Sequence, residues 1–333
     1  MDPAAPPPRA KLLTTFARWF DSSQATVATP ADPTADRIDW LRTLPFMLVH
    51  VACLGVFLVG VSPAALLAAL IAYFLRMFAI TGFYHRYFSH RSFKTSRAGQ
   101  FLFGVLGAAA VQRGPVWWAA HHRHHHANSD APADLHSPQQ HGFWRAHLGW
   151  FLTLKGFAPD LRLVRDLRRF PELRWLDRFD VAVPVLLGAF MFGLGRVLHR
   201  LAPGLHTSGA QMLVWGFFVS TVVCWHATYT INSLSHVIGR QRYRTGDGSR
   251  NNWWLAILTL GEGWHNNHHH YPSSARQGFY WWEYDLTYYL LKLMSWMGLI
   301  WDLKTVPIAV RDHSSRRLDR PQGNLHEPGS WQR

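Results

Sequence analysis

The run PFMLVHVACLGVFLVGVSPAALLAALIAYFLRMFAITGFYHRYFSH, residues 45 to 90, decides what kind of fold this chain adopts. From Pro45 to Thr81 it is almost continuously apolar, broken by Gly60-Val61-Ser62-Pro63 and interrupted late by Arg76. Because one membrane crossing takes about 20 apolar residues, the run reads as two crossing helices on either side of the Ser-Pro turn. Polar chemistry follows at once, in His85-Arg-Tyr-Phe-Ser-His90. Two further apolar runs, Val181 to Val197 and Ala210 to Ile231, flank a short loop with Pro203 and Gly204 and form a second hairpin. The expectation is an all-α integral membrane protein with crossings at about 45–60, 64–82, 181–197 and 210–231.

Composition agrees with that reading. The 333 residues include 34 Lys or Arg, 20 Asp or Glu and 21 His, a formal charge of +14. Charged residues make up 16%, against roughly 25% in a soluble domain, so much of the surface must face something other than water. A basic balance fits nucleic acid, an acidic protein or an anionic membrane face. The apolar runs select the membrane, and no nucleic-acid partner is expected. Cys53 and Cys224 lie inside apolar runs, are too few for a disulfide framework or an iron–sulfur cluster, and read as packing residues. Residues 1–36 are rich in Pro, Ala, Ser and Thr and read as a disordered tail. Residues 311–333 read as a flexible basic tail, which leaves 37–310 as one membrane domain.

The stretch from Ala98 to Ala120 is apolar too, but Gln112, Arg113, Gly114 and Pro115 interrupt it and its unbroken run is short for a crossing. Parity gives an independent check: the histidine-rich segments on either side of it can meet only if 98–120 does not cross. It is expected to be interfacial or buried, with 83–180 and 232–310 forming a helical cap. Residues 82 to 179 hold 14 Lys or Arg and the loop 198–209 holds one. The positive-inside bias therefore puts the cap and both termini in the cytoplasm, in a bacterial cell the inner membrane.

Three histidine clusters stand in that cap: His85 with His90; His122, His125 and His126; and His265, His268 and His269. In the last two, the i, i+3, i+4 spacing places three imidazoles on one helical face, where they can converge on metal, and His124 falls on the opposite side. The i, i+5 spacing of the first suits an α-helical face poorly, so that segment is expected to unwind. Asn232-Ser-Leu-Ser-His236 adds an i, i+4 pair just past the last crossing. Each cluster alone also fits a surface run or a zinc staple. Together they supply nine histidines, and a structural zinc site closes with four, so nine suit two metals with positions left open. Imidazole accepts zinc, copper, iron and nickel. Glu262-Gly-Trp-His265 is the one Glu-x-x-His match, so a soluble di-iron bundle is disfavoured. HExxH, Cys-x-x-Cys, GxSxG and phosphate-loop patterns are absent.

The three boxes, HxxxxH, HxxHH and HxxHH, resemble those of the membrane-bound fatty acyl desaturases of the stearoyl-CoA type, over about residues 40 to 305. The resemblance implies two ferrous ions held by His85, His90, His122, His125, His126, His236, His265, His268 and His269, with Asn232 contacting one through water. It implies oxygen-dependent insertion of a cis double bond, at delta-9, into a long saturated acyl chain, with two electrons from a separate donor. No His-Pro-Gly-Gly haem motif is present, so a ferredoxin or a cytochrome b5-like protein is the expected donor. Gln112, Trp118 and Thr228 match the three residues that bend the acyl tunnel in the family's delta-9 members. Ala120-His121 stand where animal acyl-CoA members carry Arg-Asp, which leaves room for an acyl-lipid substrate beside acyl-CoA. Two other readings remain open from the residues: an acyl or alkane hydroxylase using the same centre, and a histidine-rich metal transporter or sensor. His50 and His226 fall within crossings, where His50 is expected to bond between helices and His226 to approach the tunnel. His121, His124, His136 and His270 are expected outside the ligand set. Trp253, Trp254, Trp264, Trp281 and Trp282 read as interfacial anchors or core.

Overall fold

In the computed structural model, residues 19–22 and 35–315 are described, with no side-chain description for 313–315. The remainder of the two expected tails lies outside the described residues. Among the described residues four helices are long and apolar enough to cross a membrane: α1 (Trp40–Val59), α2 (Pro63–Ser89), α6 (Ala182–Leu201) and α7 (Gly209–His236). Between α2 and α6 lie α3 (Arg97–Ala108), α4 (Pro115–Asn128) and α5 (Pro171–Arg178). After α7 come α8 (Trp253–Leu258), α9 (His265–His270) and α10 (Leu286–Trp296). The described sheet is one antiparallel pair, β1 (Lys94–Thr95) with β2 (Ile300–Trp301).

Local chemistry sets the two hairpins. Gly60 takes φ +67°, a left-handed conformation that favours glycine, and the Ser62 hydroxyl then accepts the Ala65 N–H to start α2 with Pro63 in its first turn. Ser208 caps α7 in the same way, accepting from the Gln211 N–H at 3.2 Å. The outward faces are lipid-like: Phe57 and Leu58 on α1 are 83% and 90% exposed, a loss no aqueous surface would offset. The 98–120 stretch supplies no helix long enough to be a candidate crossing. Its helix α3 has 12 residues, about 18 Å at 1.5 Å per residue, and Gln100, Phe103 and Gly104 are buried beneath the cap.

α2 departs from expectation in a way that matters for function. At 27 residues it outruns the bilayer core, and from Ala79 to Ser89 it widens into a π-helix instead of unwinding. The His90 N–H reaches back five residues to the His85 carbonyl at 3.2 Å. A π-turn brings i and i+5 onto one face, so the spacing that does not fit an α-helix fits this segment. All 11 residues of the segment are buried. Arg86 ties it down with bonds to Asp285 at 2.9 Å, Glu262 at 3.0 Å and the Ala275 carbonyl at 2.7 Å. On its other side Gly107 of α3 lies so close that a Cβ there would stand 2.0 Å from the Tyr84 ring. A core of Tyr84, Phe88, Phe93, Phe103, Leu173 and Leu176 fills the space between α2, α3 and α5.

Residues 308–315 form a short helix at the start of the expected C-terminal tail, and the Tyr243 hydroxyl donates to the Arg311 carbonyl at 3.0 Å.

Candidate metal centre

The three boxes and the Asn232–His236 pair come from four helices: the π segment of α2, then α4, the end of α7, and α9. Their imidazoles gather into two nests. His85, His90, His122, His126 and His268 bring ring nitrogens within 4.8 Å of one another, and His125, His236, His265 and His269 do the same beside them. The three imidazoles of each HxxHH box therefore do not converge on one point as the helical-face reading expects. In α4, His122 and His126 share the first nest while His125 turns to the second; in α9, His265 and His269 share the second while His268 turns to the first.

Inside the nests, Nε2 atoms face Nε2 atoms: His85 and His268 at 3.0 Å, His90 and His122 at 2.8 Å, His126 and His268 at 2.9 Å, His236 and His265 at 3.0 Å. Four outer nitrogens are tied to carboxylates. The Nδ1 atoms of His85, His125, His236 and His269 lie 2.5 Å from Glu262, 2.9 Å from Asp134, 2.8 Å from Asp130 and 2.6 Å from Asp247. A carboxylate only accepts, so each of these Nδ1 atoms donates to its carboxylate and each ring is left to turn its Nε2 inward. His269 Nε2 is buried with no hydrogen-bond partner among the described residues. Burial and the neighbouring imidazoles hold His90, His122, His126, His265 and His268 well below the usual histidine range, and His125 at about 3. Uncharged nitrogen donors crowded at these separations are what a metal ion requires, so the residues fit one in each nest.

The outer ring is built as firmly. Burial alone would raise its carboxyl groups, but the histidine contacts outweigh it, holding Asp130 at about 2 and Asp134, Asp247 and Glu262 below the ordinary carboxylate range. Asp130 also accepts from the Gly248 N–H at 2.7 Å and the Ser137 hydroxyl at 2.6 Å. Asn266 and Asn267, between the histidines of α9, are fully buried; Asn266 Oδ1 accepts the N–H groups of Arg242 and Tyr243, both at 2.7 Å. Sequence reasoning misses this ring entirely, Glu262 having entered it only as a motif match. Its one available signal was acid placement: four of only 20 acidic residues stand near the boxes.

A cavity of about 710 Å³ opens on the first nest, lined by His122, Asn232, Gln112, Trp118 and Thr228 near the centre and by Val185, Ala189, Phe192, Leu213 and Phe217 farther along. Along α7 it touches both Leu213 and Asn232, 19 positions apart, so it runs about 28 Å. Trp118 Nε1 donates to Gln112 Oε1 at 3.3 Å, and Gln112 Nε2 donates to Thr228 Oγ1 at 3.0 Å. The Trp118 indole stacks on His122 with centroids 5.0 Å apart. Asn232 stands one turn before His236 on α7.

Other histidines lie outside the nests. His124 bonds the Ala133 carbonyl, His136 sits 3.2 Å from Asp134, and His270 stacks on Tyr243. His121 is buried beside Trp117 and Trp150. His226 does not line the cavity. It joins a chain instead, His50 Nε2 to His226 Nε2 at 3.2 Å and His226 Nδ1 to His147 Nε2 at 3.0 Å, which ties α1 to α7 and the cap.

These features define a helical membrane protein whose histidine centre is able to bind metal at the head of a long apolar slot. The fatty acid desaturase family model matches residues 61–297. The chain is 36% identical over 282 residues, 84% of its length and 97% of the relative's, to the sn-1 stearoyl-lipid 9-desaturase of Anabaena variabilis. It is 35% identical over 272 residues (80% and 84%) to delta-9 acyl-lipid desaturase 1 of Arabidopsis thaliana, and 37% identical over 231 residues (68% of each) to an acyl-CoA 5-desaturase of Anemone leveillei. The chain belongs to the fatty acid desaturase family, a family of oxidoreductases.

Proposed function

We propose that this protein is an oxygen-dependent di-iron desaturase that places a cis double bond at the 9 position of a long saturated acyl chain. The observation that carries the reading is the hydrogen-bonded trio Trp118–Gln112–Thr228 in the wall of the slot, with Trp118 stacked on a nest histidine. His85, His90, His122, His126 and His268 would hold one iron, and His125, His236, His265 and His269 the other, with Asn232 reaching it through water. When bound and reduced, the two irons supply oxygen activation. The chain's own residues do the rest. The apolar walls exclude water, and the fixed trio bends the acyl chain so that one pair of methylenes lies against the nests. A bend imposed on that bond favours a cis product.

Two observations favour a glycerolipid ester over a CoA thioester as head group. Ala120-His121 lacks the charged pair of animal acyl-CoA members, and the relative matched over 97% of its own length acts on stearoyl-lipid. The electrons come from a separate ferredoxin or cytochrome b5-like protein. The exposed guanidinium groups of Arg165, Arg168, Arg169 and Arg174 suit docking of an acidic partner. The basic composition of the cap supports a cytoplasmic side for the centre, at the inner membrane of a bacterial cell.

Expression in a host poor in unsaturated fat, with lipid and acyl-CoA fractions analysed separately, tests the reading. A new 9-monoenoic acid in the lipid fraction first is expected. A hydroxy acid would replace desaturation by hydroxylation. Neither product, with iron loaded and a working donor present, would remove both enzymatic readings and leave metal transport or sensing.

A further inference from the structure

The slot has a polar mouth that the chemistry above does not use. Arg42, Arg113 and Asp180 line it, and so do Trp19 and Ser22, which precede the first crossing. This short segment is anchored to three separate walls. The Trp19 Nε1–H donates to the Leu41 carbonyl at 2.8 Å, at the start of α1. Asp21, 8% exposed, takes a forked pair of bonds from Arg178 at 3.0 and 2.6 Å, at the end of α5. The Ser22 hydroxyl donates to Asp180 at 3.0 Å and accepts from Arg113 at 3.0 Å, in the turn before α4. None of these bonds helps to build the nests, whose histidines all lie between residues 85 and 269. They hold Trp19 and Ser22 in the wall of the slot beside its polar lining residues Arg42, Arg113 and Asp180. The fastening is also reversible in kind: Arg178 is half exposed, so its pair with Asp21 is screened by water.

We propose that Trp19–Ser22 is an entry strap, completing the wall of the slot with Trp19 and Ser22, and that an acyl chain enters by displacing it from Arg178 and Asp180. The inference rests on reading the slot as the acyl site. Seated, the strap shields the polar mouth and narrows it to what fits beside Trp19, which makes these residues determinants of entry rather than of chemistry.

The test uses the purified full chain and counts uptake of ¹³C-stearic acid by native mass spectrometry, subtracting the background of Gly188→Trp. Gly188 lines the slot, and a Cβ there would already touch Leu213 and Phe217 at 3.6 and 3.7 Å, so an indole at this position has to extend into the slot. Oxidising a Ser22→Cys/Asp180→Cys pair is expected to slow uptake at least tenfold, with recovery on reduction. Arg178→Ala is expected to speed it at least threefold, and the Asp21→Arg/Arg178→Asp exchange to restore the original rate. Uptake indifferent to the closed disulfide overturns the strap while leaving the acyl slot in place. Uptake no greater than the Gly188→Trp background overturns the slot, and the strap with it. If the cysteine pair does not oxidise, Arg178→Ala decides alone, and an unchanged rate counts against the strap.

Discussion

Replacing Asp130 separates what a carboxylate does behind a metal-binding histidine from what any acceptor would do. Asp130 Oδ2 accepts from His236 Nδ1 at 2.8 Å and from the Gly248 N–H at 2.7 Å, while Oδ1 accepts from Ser137. Asp130→Asn can keep its oxygen toward the first two donors and its amide toward Ser137, whose hydroxyl can turn and accept. The geometry then survives and the charge is lost. Asp130→Ala instead leaves the His236 Nδ1–H and the Gly248 N–H unpaired in the interior, at about 1–3 kcal/mol each. Loss of a histidine's outer partner typically lowers metal affinity about 10- to 100-fold, or about 1.4–2.7 kcal/mol. Asn should fall near the lower figure with an unfolding midpoint close to wild type. Ala should fall at or beyond the upper one, with a midpoint several degrees lower. Iron per chain, measured after dialysis against graded chelator, reads affinity, and tryptophan fluorescence on heating reads stability. If Asp130→Ala holds both irons at the wild-type chelator midpoint, His236 needs no outer partner, and the argument for the carboxylate ring fails with it.

Three further outcomes are expected. Trp118→Ala opens the bend and removes the stack on His122, so products should spread over neighbouring double-bond positions; mass spectrometry of derivatised fatty acids showing a single unchanged isomer would count against the bend. Arg86→Met leaves Glu262 and Asp285 buried without their cation, a change that costs about 3–5 kcal/mol, and the variant should be recovered in low yield with a depressed unfolding midpoint. Burial raises the Asp177 carboxyl to about 6, although it accepts the Trp117 N–H at 2.8 Å. A raised carboxyl favours the fold most below its unfolded value near 4 and loses that advantage as pH rises through 6, so Asp177→Asn should be more stable than wild type at pH 8 and gain nothing at pH 4. A gain independent of pH would mean that the charge is not the cause.

Much of the architecture was legible because membrane crossings and helical metal boxes both write themselves as spacing. Apolar run length located four crossings, and the i, i+3, i+4 pattern located the histidines of α4 and α9. What spacing does not carry is support from elsewhere in the chain. The π-turns of residues 79–89 exist because Arg86 is clamped by Glu262 and Asp285 and because Gly107 admits Tyr84, and those partners lie 18 or more positions away. Asp130, Asp134 and Asp247 sit in turns between helices, where an acidic residue ordinarily signals only solvent. Asn266 and Asn267 read as spacers within a box, yet both are fully buried and bond the 242–251 loop.

The division of each box between two nests explains why the spacing is HxxHH rather than two separate pairs. On an α-helix, i and i+4 point nearly the same way while i+3 is turned aside, so a helix lying between two ions can offer two rings to one and the third to the other. α4 gives two rings to the first nest and one to the second; α9 does the reverse. The two helices thereby bridge both nests, and neither nest can shift without moving a ligand of its neighbour. The π segment then adds His85 and His90 to the first nest, and α7 adds His236 to the second. The count is five against four, with the deficit on the side that Asn232 adjoins. Asn232 also lines the slot, beside His122 of the first nest, so the slot wall runs from the five-ring nest to the helical turn that precedes His236 of the four-ring nest.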